Sequence, residues 1–241
     1  MSLLTSCYHF LSSFLDLEMF KFINHSLYRL PVYVMICILC LIIALLSKLQ
    51  KHPPHYINTF IIYISITIVV EIIGWFYSVQ RENNLIFYNF YLVVNFPYLI
   101  YLIRSFLVNR KVKKMLGWIV LLYPVFAVTN IMFVQGLHNF NTYVFITGCT
   151  LVVMASIFYF YERIKYPGPN SLLNDPTFWI ATSLLFYYTC SLPLNGILNV
   201  ISNMPFYVYK TIYLINVVIN SVLYLLFSIS FICNRIFRRS S

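Results

Sequence analysis

Apolar residues fall in seven long stretches separated by short polar gaps, at 28–46, 56–78, 85–107, 115–134, 142–161, 177–202 and 206–233. Each has about the 20 residues with which an α-helix crosses a bilayer. The pattern predicts an all-α fold, a polytopic integral membrane protein with seven transmembrane helices. The bundle occupies 28–234, a short interfacial segment precedes it at 1–27, and 235–241 form a basic cytoplasmic tail.

Lysine and arginine in the gaps set the threading, because cytoplasmic loops carry an excess of them. Lys48, Lys51, Arg104, Arg110, Lys111, Lys113, Lys114, Arg163, Lys165, Arg235, Arg238 and Arg239 fall on one side; Lys21, Arg29, Arg81 and Lys210 fall on the other. This asymmetry puts the N-terminus outside and the C-terminus in the cytoplasm. Composition agrees, since 61% hydrophobic, 19% aromatic and 9% charged residues are far from a soluble domain with about 25% charge. Positive loops against an anionic leaflet account for the net charge of +10 without a nucleic-acid partner. The lipid bilayer is the expected partner, and the inner (cytoplasmic) membrane the expected location. The run 109–114 reads as a solvated loop.

The stretch from Leu3 to Leu17 is apolar but short, holds Ser12, Ser13 and Asp16, and lacks a basic start or small-residue cleavage site. It reads as an interfacial helix and not a signal peptide, with Met19 as an alternative start. Cys37 and Cys40 form a CxxC on one helix face with no histidine or acid nearby, so they read as packing. The five histidines lie outside the spans, and His52 and His55 flank Pro53 and Pro54 in a stiff turn. No cofactor or metal is expected.

Polar groups inside a bilayer mark function or packing. Glu71 is the only acid within the seven stretches, and Gly74 and Trp75 follow on its face. The other polar residues in the outer half are Asn89, Asn95, Asn130, Asn141, Thr147, Asn195, Asn199, Lys210 and Asn216. Lys210 can pair with Glu71 or snorkel to the headgroups, and the amides can form a site or glue helices together. The candidate ligand-binding set is Glu71, Trp75, Asn89, Asn95, Asn195, Asn199, Lys210 and Asn216. Pro97, Pro124 and Pro193 interrupt three spans, and Ser191–Gly196 combines proline, amide and glycine as a candidate hinge. A faint repeat pairs Tyr88-Asn89 with Asn95, Phe140-Asn141 with Thr147, and Tyr209-Lys210 with Asn216.

Glu71-Ile-Ile-Gly74, Asn84 with Tyr88-Asn89-Phe90-Tyr91, Gln135-Gly136 with Phe140-Asn141-Thr142-Tyr143, and Asp175-Pro176-Thr177-Phe178-Trp179-Ile180 with Leu184–Tyr188 together resemble a family of small seven-helix Bacteroidetes membrane proteins. Its members are similar to sensory modules and are often encoded beside sensor histidine kinases. The resemblance covers roughly 56–200 and implies a signal-input role, with no site residues to carry over. Asn95-Phe96-Pro97 stands where an acidic pair is expected, which departs from that pattern.

Two functions follow as expectations. One is a non-enzymatic sensor or signal-relay subunit with an outward-facing polar pocket for a small molecule, acting through a sensor histidine kinase or another membrane protein. The other is a small-solute transporter resembling the SWEET or PQ-loop type, with a 3+1+3 helix duplication but no Pro-Gln motif. A rhodopsin is excluded, because Lys210 lies at the mouth of the last span and the third has no aspartate. Intramembrane proteolysis lacks its HExxH, second acid or buried histidine.

Overall fold

The computed structural model describes residues 30–49, 54–80, 82–167, 171–196 and 206–237. Among these the chain is all-helical: α1 Val32–Lys48, α2 His55–Val79, α3 Leu85–Phe106, α4 Arg110–Phe133, α5 Thr142–Lys165, α6 Pro176–Gly196 and α7 Phe206–Phe237, with a 3₁₀ turn Leu172–Asn174 before α6. Five of the seven, α2 to α5 and α7, are long and apolar enough to cross a membrane. α1 is apolar but has 17 residues. α6 carries Thr182, Ser183, Thr189, Ser191 and Asn195, which dilute its hydropathy.

The boundaries correct the sequence reading in three places. Arg110–Lys114 is the first turn of α4 and not a loop. α5 runs past 161, so Glu162 is a second acid inside a long helix. α7 continues to Phe237, so the basic tail starts as helix. The N-terminal segment 1–27 lies outside the described residues, as do 197–205 and 238–241.

Successive helices pack side by side, and α7 returns to α1. The ring is α1, α2, α3, α5, α6, α7, and α4 sits outside it against α3, with a lighter contact to α5. The basic residues Lys48, Arg104, Arg110, Lys111, Lys113, Lys114, Arg163 and Lys165 gather at one end of this ring, because they occupy the C-terminal turns of α1, α3 and α5 and the N-terminal turn of α4. α4 presents Trp118, Leu121, Leu122, Val125, Phe126, Val128, Met132 and Phe133 outward. So broad an apolar face requires a non-aqueous environment, and the protein is membrane-embedded.

The ring interior is filled with aromatic side chains. Phe60 of α2 meets Phe227 and Phe231 of α7 with centroids 4.8 and 5.3 Å apart. Phe96 of α3 contacts Tyr123, Phe145 and Tyr188 of α4, α5 and α6 at 5.8, 6.0 and 5.4 Å. Gly148 makes that wedge possible, since a Cβ there would stand 2.4 Å from the Phe96 ring. Cys37 and Cys40 are buried free thiols in the same core.

Phe96 is fully buried and has no room to swing. Gly148→Ala therefore overpacks the wedge and should cost about 1–3 kcal/mol, seen as a lower melting temperature in detergent. Adding Phe96→Leu should restore part of the loss.

Candidate functional site

Glu71 lies 16 residues into α2 and close to the end opposite the basic cluster. Tyr33, next to the start of α1, and Tyr88, in the first turn of α3, reach that level because both helices run antiparallel to α2. Their hydroxyls donate to the same carboxylate oxygen, Oε2, at 2.8 and 3.2 Å. Gly74 leaves the space for Tyr88, whose hydroxyl would lie 2.4 Å from a Cβ at that position. Among the described residues, then, Glu71 is held by phenols and not by Lys210. A phenol supplies a donor without a second charge to desolvate, which an ion pair in hydrocarbon would require.

Glu71 is the first rung of a ladder between α2 and α3. Thr67 and Tyr91 share a hydrogen bond of 2.7 Å, Tyr63 donates to Asn95 Oδ1 at 3.1 Å, and Tyr98 reaches Thr59 at 3.5 Å. On α2 the rungs recur every fourth residue, at 71, 67, 63 and 59; on α3 they alternate by three and four, at 88, 91, 95 and 98. Both spacings keep a single helix face in view. Tyr63 also stacks on Tyr98, with centroids 4.7 Å apart. Asn95, 5% exposed, passes the network to α6 by donating from Nδ2 to the Tyr188 hydroxyl at 3.2 Å.

The remaining candidates occupy different places. Asn89 clamps the loop between α4 and α5: Nδ2 donates to the Leu137 and Asn139 carbonyls at 2.9 and 2.8 Å, and Oδ1 accepts from the Asn141 amide at 3.2 Å. In that loop Gly136 has φ +80°, a left-handed conformation that glycine adopts without strain. Asn195 Nδ2 donates to Asn216 Oδ1 at 3.4 Å and to the Ser191 carbonyl at 3.3 Å, tying α6 to α7. Within the candidate hinge, Ser191 Oγ is buried without a hydrogen-bond partner among the described residues, and Pro193 is exposed. Trp75 and Lys210 are half-buried at the end that holds Glu71. Asn199 lies outside the described residues.

The basic end holds the polar group that sequence reasoning missed. Glu162, 7% exposed, accepts from the Val108 and Asn109 amides at 2.7 and 2.9 Å. Asn109 caps α4 by accepting from Lys111 N at 2.9 Å and from Val112 N at 3.4 Å. At the next junction Asp175 accepts from Thr177 N and Oγ1 at 2.9 and 2.8 Å, pairs with Arg163, and so opens α6 with Pro176 in its first turn. Thr177 and Tyr159 share a 2.7 Å hydrogen bond beneath Arg163.

No family model matches the chain, and no curated protein or solved structure is significantly similar to it. These side chains form hydrogen-bonding and helix-capping groups, with one carboxylate at the end of a polar ladder.

Removing Glu162 leaves two amides at the start of α4 without their acceptor. Glu162→Ala should destabilise the fold by about 1–3 kcal/mol. It should also accelerate hydrogen exchange at Val108 and Asn109 more than at amides in the middle of α4.

Proposed function

We propose that this protein is a non-enzymatic membrane sensor or signal-relay subunit of the inner (cytoplasmic) membrane. In this reading seven helices span the bilayer, the N-terminus lies outside, the basic end faces the cytoplasm, and Glu71 lines an outward-facing polar site. The ladder is the observation that carries the proposal. It begins at Glu71, whose described hydrogen bonds use Oε2 alone, and it runs along α2 and α3 to Thr59 and Tyr98. A small molecule presenting an amine or hydroxyl donor to Glu71 competes with Tyr33 and Tyr88. Displacing either phenol moves α1 or α3 against α2. Because successive rungs share the same two helices, that movement is felt at the basic end, where a sensor histidine kinase or other membrane protein would read it. The resemblance to sensory seven-helix proteins points to the same role.

A small-solute transporter is the second reading, and the helix order favours it. α1–α2–α3 and α5–α6–α7 pack in the same sequence, joined by α3–α5 and α7–α1, with α4 outside. This adjacency is compatible with a parallel duplication of three helices about an axis along the membrane normal. Alternating access would also have to open the end held by Glu162 and the Arg163–Asp175 pair.

In a thermal-shift screen of small amines, amino acids and sugars, the wild type should be stabilised by ligands that leave Glu71→Gln unmoved, while vesicle uptake of those ligands stays flat. Equal shifts in both proteins would remove Glu71 from the site, and uptake would favour the transporter. For orientation, an impermeant maleimide should label His138→Cys in intact cells, whereas Lys111→Cys should react only after lysis. The opposite result would invert the bundle.

A further inference from the structure

We propose that the groove between α3 and α4 at the basic end binds the headgroup and upper acyl chain of one anionic phospholipid. This inference stands apart from the role given to Glu71. The groove measures about 400 Å³ and is lined by Arg104, Lys114, Gly117, Trp118, Val120 and Leu121. No acidic side chain lines it.

Its cations are of two kinds. Arg104, in the last turn of α3, is half-buried, and its Nε donates to the Lys113 carbonyl at 2.7 Å. That bond pins the guanidinium against α4, and none of the described hydrogen bonds uses its two terminal nitrogens. Gly117 gives it room, since a Cβ would stand 3.3 Å from Nε and 3.4 Å from Nη2. A guanidinium held in place with its paired donors spare suits a phosphate. Lys114 adds a second, exposed charge one turn away.

The order of side chains down the groove selects a lipid over a soluble anion or an acidic protein segment. Lys114, Trp118 and Leu121 share one face of α4 at i, i+4 and i+7. From the ammonium level to the leucine the helix rises about 10 Å. Cation, indole and aliphatic side chain follow one another as phosphate, glycerol region and acyl chain do in a leaflet. Trp118 and Leu121 are 58% and 65% exposed on the apolar outer face of α4, where an acyl chain would cover them. A lipid seated here bridges α3 and α4, and α4 has no other substantial contact with the ring apart from its light packing on α5.

Titration of the full-length protein in detergent with dioleoyl phosphatidylglycerol or phosphatidylcholine, read by native mass spectrometry, tests the site. A single phosphatidylglycerol adduct should form at a concentration about tenfold below that needed for phosphatidylcholine. Lys114→Gln and Arg104→Gln should each weaken it roughly fivefold, the factor expected for one basic residue near an anionic surface. Lys165→Gln, at the same end but outside the groove, should leave it unchanged. Equal binding of the two lipids overturns the proposal. So does an unaltered adduct in Lys114→Gln, or a loss in Lys165→Gln as large as in Lys114→Gln. Arg104 also anchors the Lys113 carbonyl, so Lys114→Gln decides the matter if Arg104→Gln does not fold.

Discussion

An apolar side chain gains no hydrophobic free energy by leaving lipid for another apolar side chain, so the register of two helices inside a bilayer rests on packing shape and hydrogen bonds. Between α2 and α3 it comes from the hydrogen-bonded ladder Glu71–Tyr88, Thr67–Tyr91, Tyr63–Asn95 and Thr59–Tyr98. Rotating either helix by one residue turns its face by about 100° and unpairs every rung at once. Hydrogen bonds tie two further helices to this pair. Glu71 reaches α1 through Tyr33, and Asn95 reaches α6 through Tyr188. Where hydrogen bonding ends, shape takes over: Gly74 and Gly148 sit where a phenol and a phenyl ring must approach the backbone.

All seven helices were legible as apolar stretches, and so was the segregation of basic residues to one end, because both follow from the solvent. Partnerships were not. Glu71 stands out as a buried acid, but the counter-charge the sequence offers it is Lys210, since tyrosines in so aromatic a chain read as bulk. The signal was present in the spacing: Thr59, Tyr63, Thr67 and Glu71 recur every fourth residue, and Tyr88, Tyr91, Asn95 and Tyr98 alternate by three and four. Asn89 could not be told from a ligand contact, because the groups it binds lie 48 to 52 residues away in the chain. Glu162 was lost for a simpler reason. A charged cluster ended the apolar stretch at 161, whereas the helix, once its carboxylate has backbone donors, continues through it.

The two ends of the ring solve different electrostatic problems. Insertion gathers lysine and arginine at one end, and those in the last turns of α1, α3 and α5 meet negative helix poles that favour them. The starts of α4 and α6 lie at the same end, and there a positive pole faces nearby cations unless anions intervene. Glu162 and Asp175 are those anions, one against the amides that lead into α4 and the other at the cap of α6, where it also engages Arg163. The same logic explains why a carboxylate can remain inside the bundle at 162 without a lysine or arginine of its own among the described ion pairs. At the opposite end, where few charges accumulate, neutral amides are enough: Asn83, Asn84, Asn89 and Asn141 hold the turns by bonds to backbone carbonyls. Besides Glu82, which is exposed in the turn between α2 and α3, the carboxylate at that end is Glu71. It caps no helix and meets only phenols among its described partners, so structural need alone does not account for its charge. The cost of burying that carboxylate is the physical ground on which the proposed polar site at Glu71 rests.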